Sequence, residues 1–116
     1  YVPSPLLYGE LLYFTKGNQP VLFRLNARTG QPLSDAARLP GLREIYASPV
    51  GAAGRVYIVG RGGATLVLKD GAGLDVLAVN RLDDSIDASP AAVGKDLFLR
   101  SKRRLYCISR TSGADE

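Results

Sequence analysis

The chain has 116 residues, 46% of them hydrophobic and 22% charged, with a formal net charge of +4. That balance describes one folded domain with a modest core and excludes a disordered or fibrous chain. The absence of histidine removes the Ser-His-Asp triad, histidine-bound metals and the commonest general base, leaving carboxylate or lysine chemistry as the enzymatic options.

The elements follow in chain order. Residues 4–8 form a short apolar segment after Ser4-Pro5, and Gly9-Glu10 supplies a turn. Leu11-Leu12-Tyr13-Phe14-Thr15 is rich in residues that suit a pleated surface and predicts a strand. A hairpin loop over Lys16–Pro20 leads to a returning strand at Val21–Leu25, and Asn26–Gly30 turns the chain again. Gln31–Leu39 is the expected fourth strand with its loop, and its pattern is the weakest of the unit.

A second unit repeats this plan. Ser48–Ala52 is followed by the turn Ala53-Gly54-Arg55, the strand Val56–Val59 and a loop at Arg61–Ala64. Thr65–Leu68 returns, Asp70–Gly73 turns, and Asp75–Asn80 is a clear fourth strand. The third unit runs Ser89–Val93, turns at Gly94-Lys95, continues through Leu97-Phe98-Leu99, and returns at Leu105–Ile108 after the loop Ser101–Arg103. Its next turn, Ser109–Gly113, aligns with Asn26–Gly30, and no fourth strand is expected after it.

Three Ser-Pro pairs anchor these units: Ser4-Pro5, Ser48-Pro49 and Ser89-Pro90. Nine residues after each serine stands an aromatic at the centre of an apolar strand, Tyr13, Tyr57 and Phe98. The serines are 44 and 41 residues apart, a period that fits four-stranded propeller blades. Val56-Tyr57-Ile58-Val59 is apolar without alternation, as a sheet sandwiched between neighbouring sheets requires. The fold class expected is therefore all-β, a partial β-propeller of four-stranded antiparallel blades. About 2.7 blades are present by the usual repeat length, with boundaries at 1–45, 46–86 and an incomplete 87–116 lacking its outer strand.

Leu22–Gly30, with its Asn26-Ala27-Arg28-Thr29-Gly30 turn, resembles the repeat of pyrroloquinoline-quinone-type β-propellers, and Gly54–Val59 and Asp87–Ala91 resemble its preceding strands. The resemblance spans nearly the whole chain. Quinone-dependent dehydrogenases of that superfamily place a tryptophan after the Thr-Gly turn. The corresponding positions here are Ser34 and Leu77, and the chain has no tryptophan. It also lacks a cysteine pair and a carboxylate set suited to a quinone and its calcium. The resemblance thus implies the non-catalytic branch, which includes the periplasmic lipoprotein of the outer-membrane barrel-assembly machinery. What it implies is a scaffold or interaction surface for a protein or ligand, without catalytic, cofactor-binding or metal-binding residues and without a cofactor, in the periplasm or outside the cell. The alternative is the C-terminal part of a catalytic propeller, quinone-dependent or hydrolytic, whose active residues lie in other blades.

Three local features bear on function. Arg100, Lys102, Arg103 and Arg104 form the densest charge cluster. They suggest either a patch for nucleic acid, an acidic polymer or anionic lipid, or a solvated hairpin tip, and the second is favoured because no aromatics interleave with them. Nucleic acid is accordingly not an expected partner, nor is a membrane span, since no apolar run approaches the roughly 18 residues needed. Asp83, Asp84 and Asp87 could ligate a metal or act as a carboxylate pair. The reading preferred for them is a polar inter-blade loop, with an aspartate capping the turn into Ser-Pro.

Cys107, the only cysteine, lies in Leu105-Tyr106-Cys107-Ile108 and is expected to be a buried, inert thiol. Because the chain opens on Tyr1 rather than methionine, it reads as a mature product or a piece of something longer. An open arc of blades exposes apolar faces at both ends. The remaining blades of a longer propeller would cover them, or further copies of the chain would close a ring.

Overall fold

The computed structural model describes residues 3–33, 36–71, 75–82, 84–93 and 96–109. Those residues form eleven strands in three separate antiparallel sheets. The first sheet holds β1 (Leu6–Tyr8), β2 (Leu11–Thr15), β3 (Val21–Asn26) and β4 (Ala37–Arg38) in sequence order. The second repeats that order with β5 (Val50–Ala52), β6 (Arg55–Val59), β7 (Ala64–Lys69) and β8 (Val76–Arg81). The third contains β9 (Ala91–Val93), β10 (Asp96–Arg100) and β11 (Leu105–Ser109), with β10 in the middle. This is a partial β-propeller, and each expected strand except the fourth of the first unit has a counterpart within a residue or two.

The fourth strand of the first unit is much shorter than the span 31–39. Among the described residues of that span, Ala37 and Arg38 pair with β3 through Leu22 and Val21, and Pro32 makes an isolated bridge to Leu25. Asn26 donates to the Gln31 carbonyl at 2.8 Å and Leu33 to the Arg24 carbonyl at 3.1 Å, so Pro32 sits at a position that needs no amide toward β3. The expected third-unit turn at 109–113 and the absence of a strand after it fall largely outside the described residues, as do Ser34 and Asp83. Leu77 is described and stands exposed on β8.

Local chemistry accounts for the turn motif of the first unit. The Asn26 side-chain oxygen accepts from the amides of Arg28 at 2.9 Å and Thr29 at 3.2 Å, while Gly30 donates to the Asn26 carbonyl. Gly30 closes the turn with φ +75°, a conformation open to glycine at no steric cost.

The packing follows the repeat. In the middle sheet every residue of 56–59 and 64–68 is buried. Val56, Ile58, Leu66 and Leu68 meet Leu11, Tyr13 and Leu22 of the first sheet, in a cluster closed by Leu39, Leu42 and Ile45. The alternate residues Tyr57, Val59 and Val67 meet Leu97 and Leu99 of the third sheet, beside Ala47 and Ile86. Period-two side-chain alternation thus serves two different neighbours. The sheets approach one another most closely at their first strands, β1 against β5 and β5 against β9, which form the inner edge of the fan.

The outer sheets bury one face only. In β2 and β10 buried and half-buried residues alternate. Phe14 and Phe23 stack on the outward face of the first sheet, their centroids 5.2 Å apart. Cys107 pairs with Phe98 on the outward face of the third sheet and is exposed. This corrects the expectation of a buried thiol. The apolar run around it was a sound sign of a strand, but no described sheet covers that side of it.

Candidate functional site

The propeller connectivity sorts the loops onto two edges. The hairpin loops at 16–20, 60–63 and 101–104 and the inter-blade linkers at 39–49 and 82–90 share one edge. The two-residue turns Gly9-Glu10 and Ala53-Gly54 and the described residues that follow β3 and β7 share the other.

On the first edge the linkers thread between hairpins. Ile45 donates its amide to the Asn18 carbonyl at 2.8 Å, and Asn18 Nδ2 returns a bond to the Ile45 carbonyl at 2.9 Å. Arg61 donates to Glu44 O at 2.7 Å and accepts from the Ile86 amide at 2.9 Å, and Lys102 donates to Ser85 O at 3.0 Å. Ile45 and Ile86, each three residues before a Ser-Pro serine, are fully buried plugs at these crossings. The serines themselves form a ladder along the inner edge: the Ser4 amide donates to Ser48 Oγ at 2.8 Å, and the Ser48 amide to Ser89 Oγ at 2.8 Å. The proline of each pair fixes the backbone φ where the inner strand begins. The hydroxyl supplies a second, blade-to-blade role.

The carboxylates raised as possible ligands are engaged in packing. Asp84 accepts from the Ser101 hydroxyl and the Ser85 amide and pairs with Arg103 Nε at 3.4 Å. The Ser101 hydrogen bond is the main reason its carboxyl is held below the ordinary carboxylate range. Asp87 pairs with Arg61 Nε at 3.0 Å, and the same guanidinium lies over the Tyr46 ring, 4.5 Å from its centroid. Among the described residues no group of three or more acids, cysteines or histidines is placed to hold a metal.

A further polar cluster, not foreseen from the sequence, lies between the first two blades. The Tyr13 hydroxyl donates to Asp70 Oδ1 and accepts from the Gly71 amide at 3.1 Å. Arg24, 4% exposed, reaches the Gly71 carbonyl at 3.5 Å. Burial and then the Asp70 hydrogen bond push the Tyr13 phenol up to about 12.

Charge is unequally divided between the edges. The hairpin and linker edge carries Lys16, Arg38 and Arg43 from the first blade and its linker, and Arg61 and Arg81 from the second. The third blade adds Arg100, Lys102, Arg103 and Arg104, and the described acids there are Glu44, Asp84 and Asp87. Among the described residues the opposite edge is nearly balanced, with Arg28, Arg55 and Lys69 alongside Glu10, Asp70, Asp75 and Asp96. The basic tip read from the sequence is thus one part of a basic face.

Two recesses open on that face. One, of about 280 Å³, is enclosed by the tip Arg100–Leu105. The larger, of about 560 Å³, lies between residues 41–43 and 60–64, with Arg43 and Arg81 on its wall and Leu42 and Ala64 below.

Fold and face together define a segment of a β-propeller with blade-to-blade polar contacts and one basic edge. No protein-family model matches the chain, and no curated protein matches its sequence. Its fold is similar to the crystal structure of BamB from Moraxella catarrhalis, with a TM-score of 0.71 over 90% of this chain at 21% identity. The chain spans 32% of the length of that structure.

Proposed function

We propose that this chain is a non-enzymatic segment of a pyrroloquinoline-quinone-type propeller and acts as a protein-interaction scaffold through its hairpin and linker edge. The observation that carries this reading is the engagement of Asp84, Asp87 and Tyr13 in contacts between blades. These three groups help hold the arc together, while most of the surplus positive charge of the described residues stands on one edge. The resemblance to the non-catalytic branch supports the same reading and a periplasmic or extracellular location.

Photo-crosslinkers placed at Lys16 and Lys102 on the basic edge, and at Arg28 and Lys69 on the other, test it in the producing cell. A discrete protein adduct from the first pair alone is expected. Equal adducts from both pairs, or none, would count against it. For the catalytic alternative, added pyrroloquinoline quinone and calcium are expected to leave the melting temperature unchanged, and a rise of several degrees would revive that alternative.

The blade boundaries proposed are 1–45, 46–86 and 87–116, and the chain's nearest partners are further blades. Leu7 at 64% exposure on the first sheet, and Val93 at 62% and Leu105 at 69% on the third, lie on faces equivalent to those buried in the middle sheet. We favour the remaining blades of a longer propeller, of which these would be the C-terminal ones, over further copies of the chain. Light scattering after gel filtration separates the two. A monomer that binds dyes for exposed apolar surface fits the first, and a discrete species near three chains would overturn it.

A further inference from the structure

The recess between residues 41–43 and 60–64 carries features that blade packing does not use. Gly41, Gly60 and Gly62 line it; the main chain is clear at Gly62, whereas Arg81 and Val79 lie over Gly41 and Leu42 over Gly60. Its base is apolar, since Leu42 and Ala64 are buried. The Arg81 guanidinium reaches over Gly41, its Nη2 3.0 Å from where a Cβ would stand. Arg43, which is exposed, also lines it. Arg61 and Arg103 on the same face are paired with Asp87 and Asp84, whereas Arg43 and Arg81 make no ion pair with a described residue.

Two arginines lining a recess together with the buried apolar residues Leu42 and Ala64 suit an extended peptide that bears carboxylates. Guanidinium forks recognise carboxylates in a bidentate manner, the clear main chain at Gly62 leaves room for a backbone, and a volume near 560 Å³ is in the range of ligand pockets. A polynucleotide fits less well. The one aromatic at these crossings, Tyr46, is already covered on one face by Arg61, which leaves little platform for stacked bases. A bilayer cannot enter a recess set between two loops.

We propose that the recess formed by Gly41–Arg43, Gly60–Ala64 and Arg81 is the docking site for an acidic segment of a partner protein, its carboxylates held by Arg43 and Arg81. The proposal rests on the scaffold reading and narrows it to one groove and one partner chemistry.

The test uses the 116-residue chain and a fluorescein-labelled hexaglutamate peptide, read by anisotropy at low and at physiological salt. Arg43→Gln/Arg81→Gln is expected to weaken binding about tenfold or more, the loss of roughly one charge-assisted pair. Arg28→Gln/Lys69→Gln, on the other edge, is expected to change it less than about twofold, with both variants retaining the wild-type circular dichroism spectrum. Absent binding by the wild-type chain, or equal weakening in the two variants, would overturn the proposal. So would displacement by duplex DNA at lower concentration than by unlabelled hexaglutamate, or full displacement by free glutamate at equal carboxylate concentration. Recruitment to phosphatidylglycerol vesicles that also vanished in Arg43→Gln/Arg81→Gln would reassign the site to lipid. Each of these outcomes leaves the crosslinking test of the scaffold reading to stand or fall separately.

Discussion

Tyr13→Phe is the most informative single change, because it removes one oxygen from the cluster between the first two blades. The ring is 1% exposed and keeps its packing in the variant, but Asp70 loses a donor and the Gly71 amide loses an acceptor. A hydrogen bond to a charged partner contributes about 1.5–3 kcal/mol, and a loss in that range is expected at pH 8. The pH dependence supplies an independent check. The phenol titrates at about 12 in the folded chain against an ordinary 10, so its folded pKa is raised. The stabilisation it carries is then fully present below pH 10 and disappears as pH rises through about 12. Two pKa units correspond to about 2.7 kcal/mol. Water that reaches part of the cluster screens the interaction, which brings the expected linkage to about 1–2 kcal/mol. Urea unfolding followed by far-ultraviolet circular dichroism between pH 8 and pH 11.5 measures both quantities. The wild-type advantage should be largest near pH 8 and shrink above pH 10. Equal stabilities at pH 8, or parallel curves through the alkaline range, would refute the account of this cluster.

Asp84→Asn should flatten the acid limb of the stability curve. A carboxyl held low by Ser101, the Ser85 amide and Arg103 contributes stability that is present above the unfolded carboxyl pKa and lost as pH falls through the folded one. Denaturant midpoints from pH 7 down to pH 3 will show whether the wild-type chain loses more than the variant. Gly63→Ala should prevent folding or cost more than about 3 kcal/mol: φ is +100°, and a Cβ would stand 2.2 Å from Leu82 O and 2.5 Å from Asp84 O. Gly62→Ala, with nothing within 4 Å, should change stability by less than about 1 kcal/mol, and soluble yield with melting temperature compares the two. Ile58→Ala, at a site with 0% exposure between the first and second blades, should cost about 2–5 kcal/mol in urea unfolding. Ala53→Asn should raise stability by about 0.5–1 kcal/mol, because Ala53 and Gly54 both have positive φ in a two-residue hairpin turn that favours Asn-Gly; a lowered melting temperature would contradict that turn assignment.

The candidate face was less legible in the sequence than the fold. The tip Arg100–Arg104 is contiguous and therefore visible, yet Arg38, Arg43, Arg61 and Arg81 are scattered through two blades and meet it only because connectivity brings their loops to one edge. The paired roles of Asp84 with Ser101 and of Tyr13 with Asp70 join residues 17 and 57 positions apart, and no local spacing encodes them. One signal was available and passed over: isoleucine three residues before serine at both Ser48 and Ser89 marks the plugs Ile45 and Ile86. Cys107 shows the opposite limit, since an apolar neighbourhood along the chain identifies a strand without saying whether another sheet covers it.

Sequence alone determined the blades. Strand propensity, turn residues and a repeated Ser-Pro interval are local properties, and they specify where the chain extends and where it turns whatever surrounds it. They also determined that the middle blade must be covered on both sides, because 56–59 is apolar without alternation. Tertiary structure alone decided which side of each strand meets which neighbour, which acids are committed to arginines, and that most surplus positive charge gathers on one edge. The physical reason is distance. Hydrogen bonds, ion pairs and fields act between groups adjacent in space, and in a fan of blades those groups come from units some 40 residues apart.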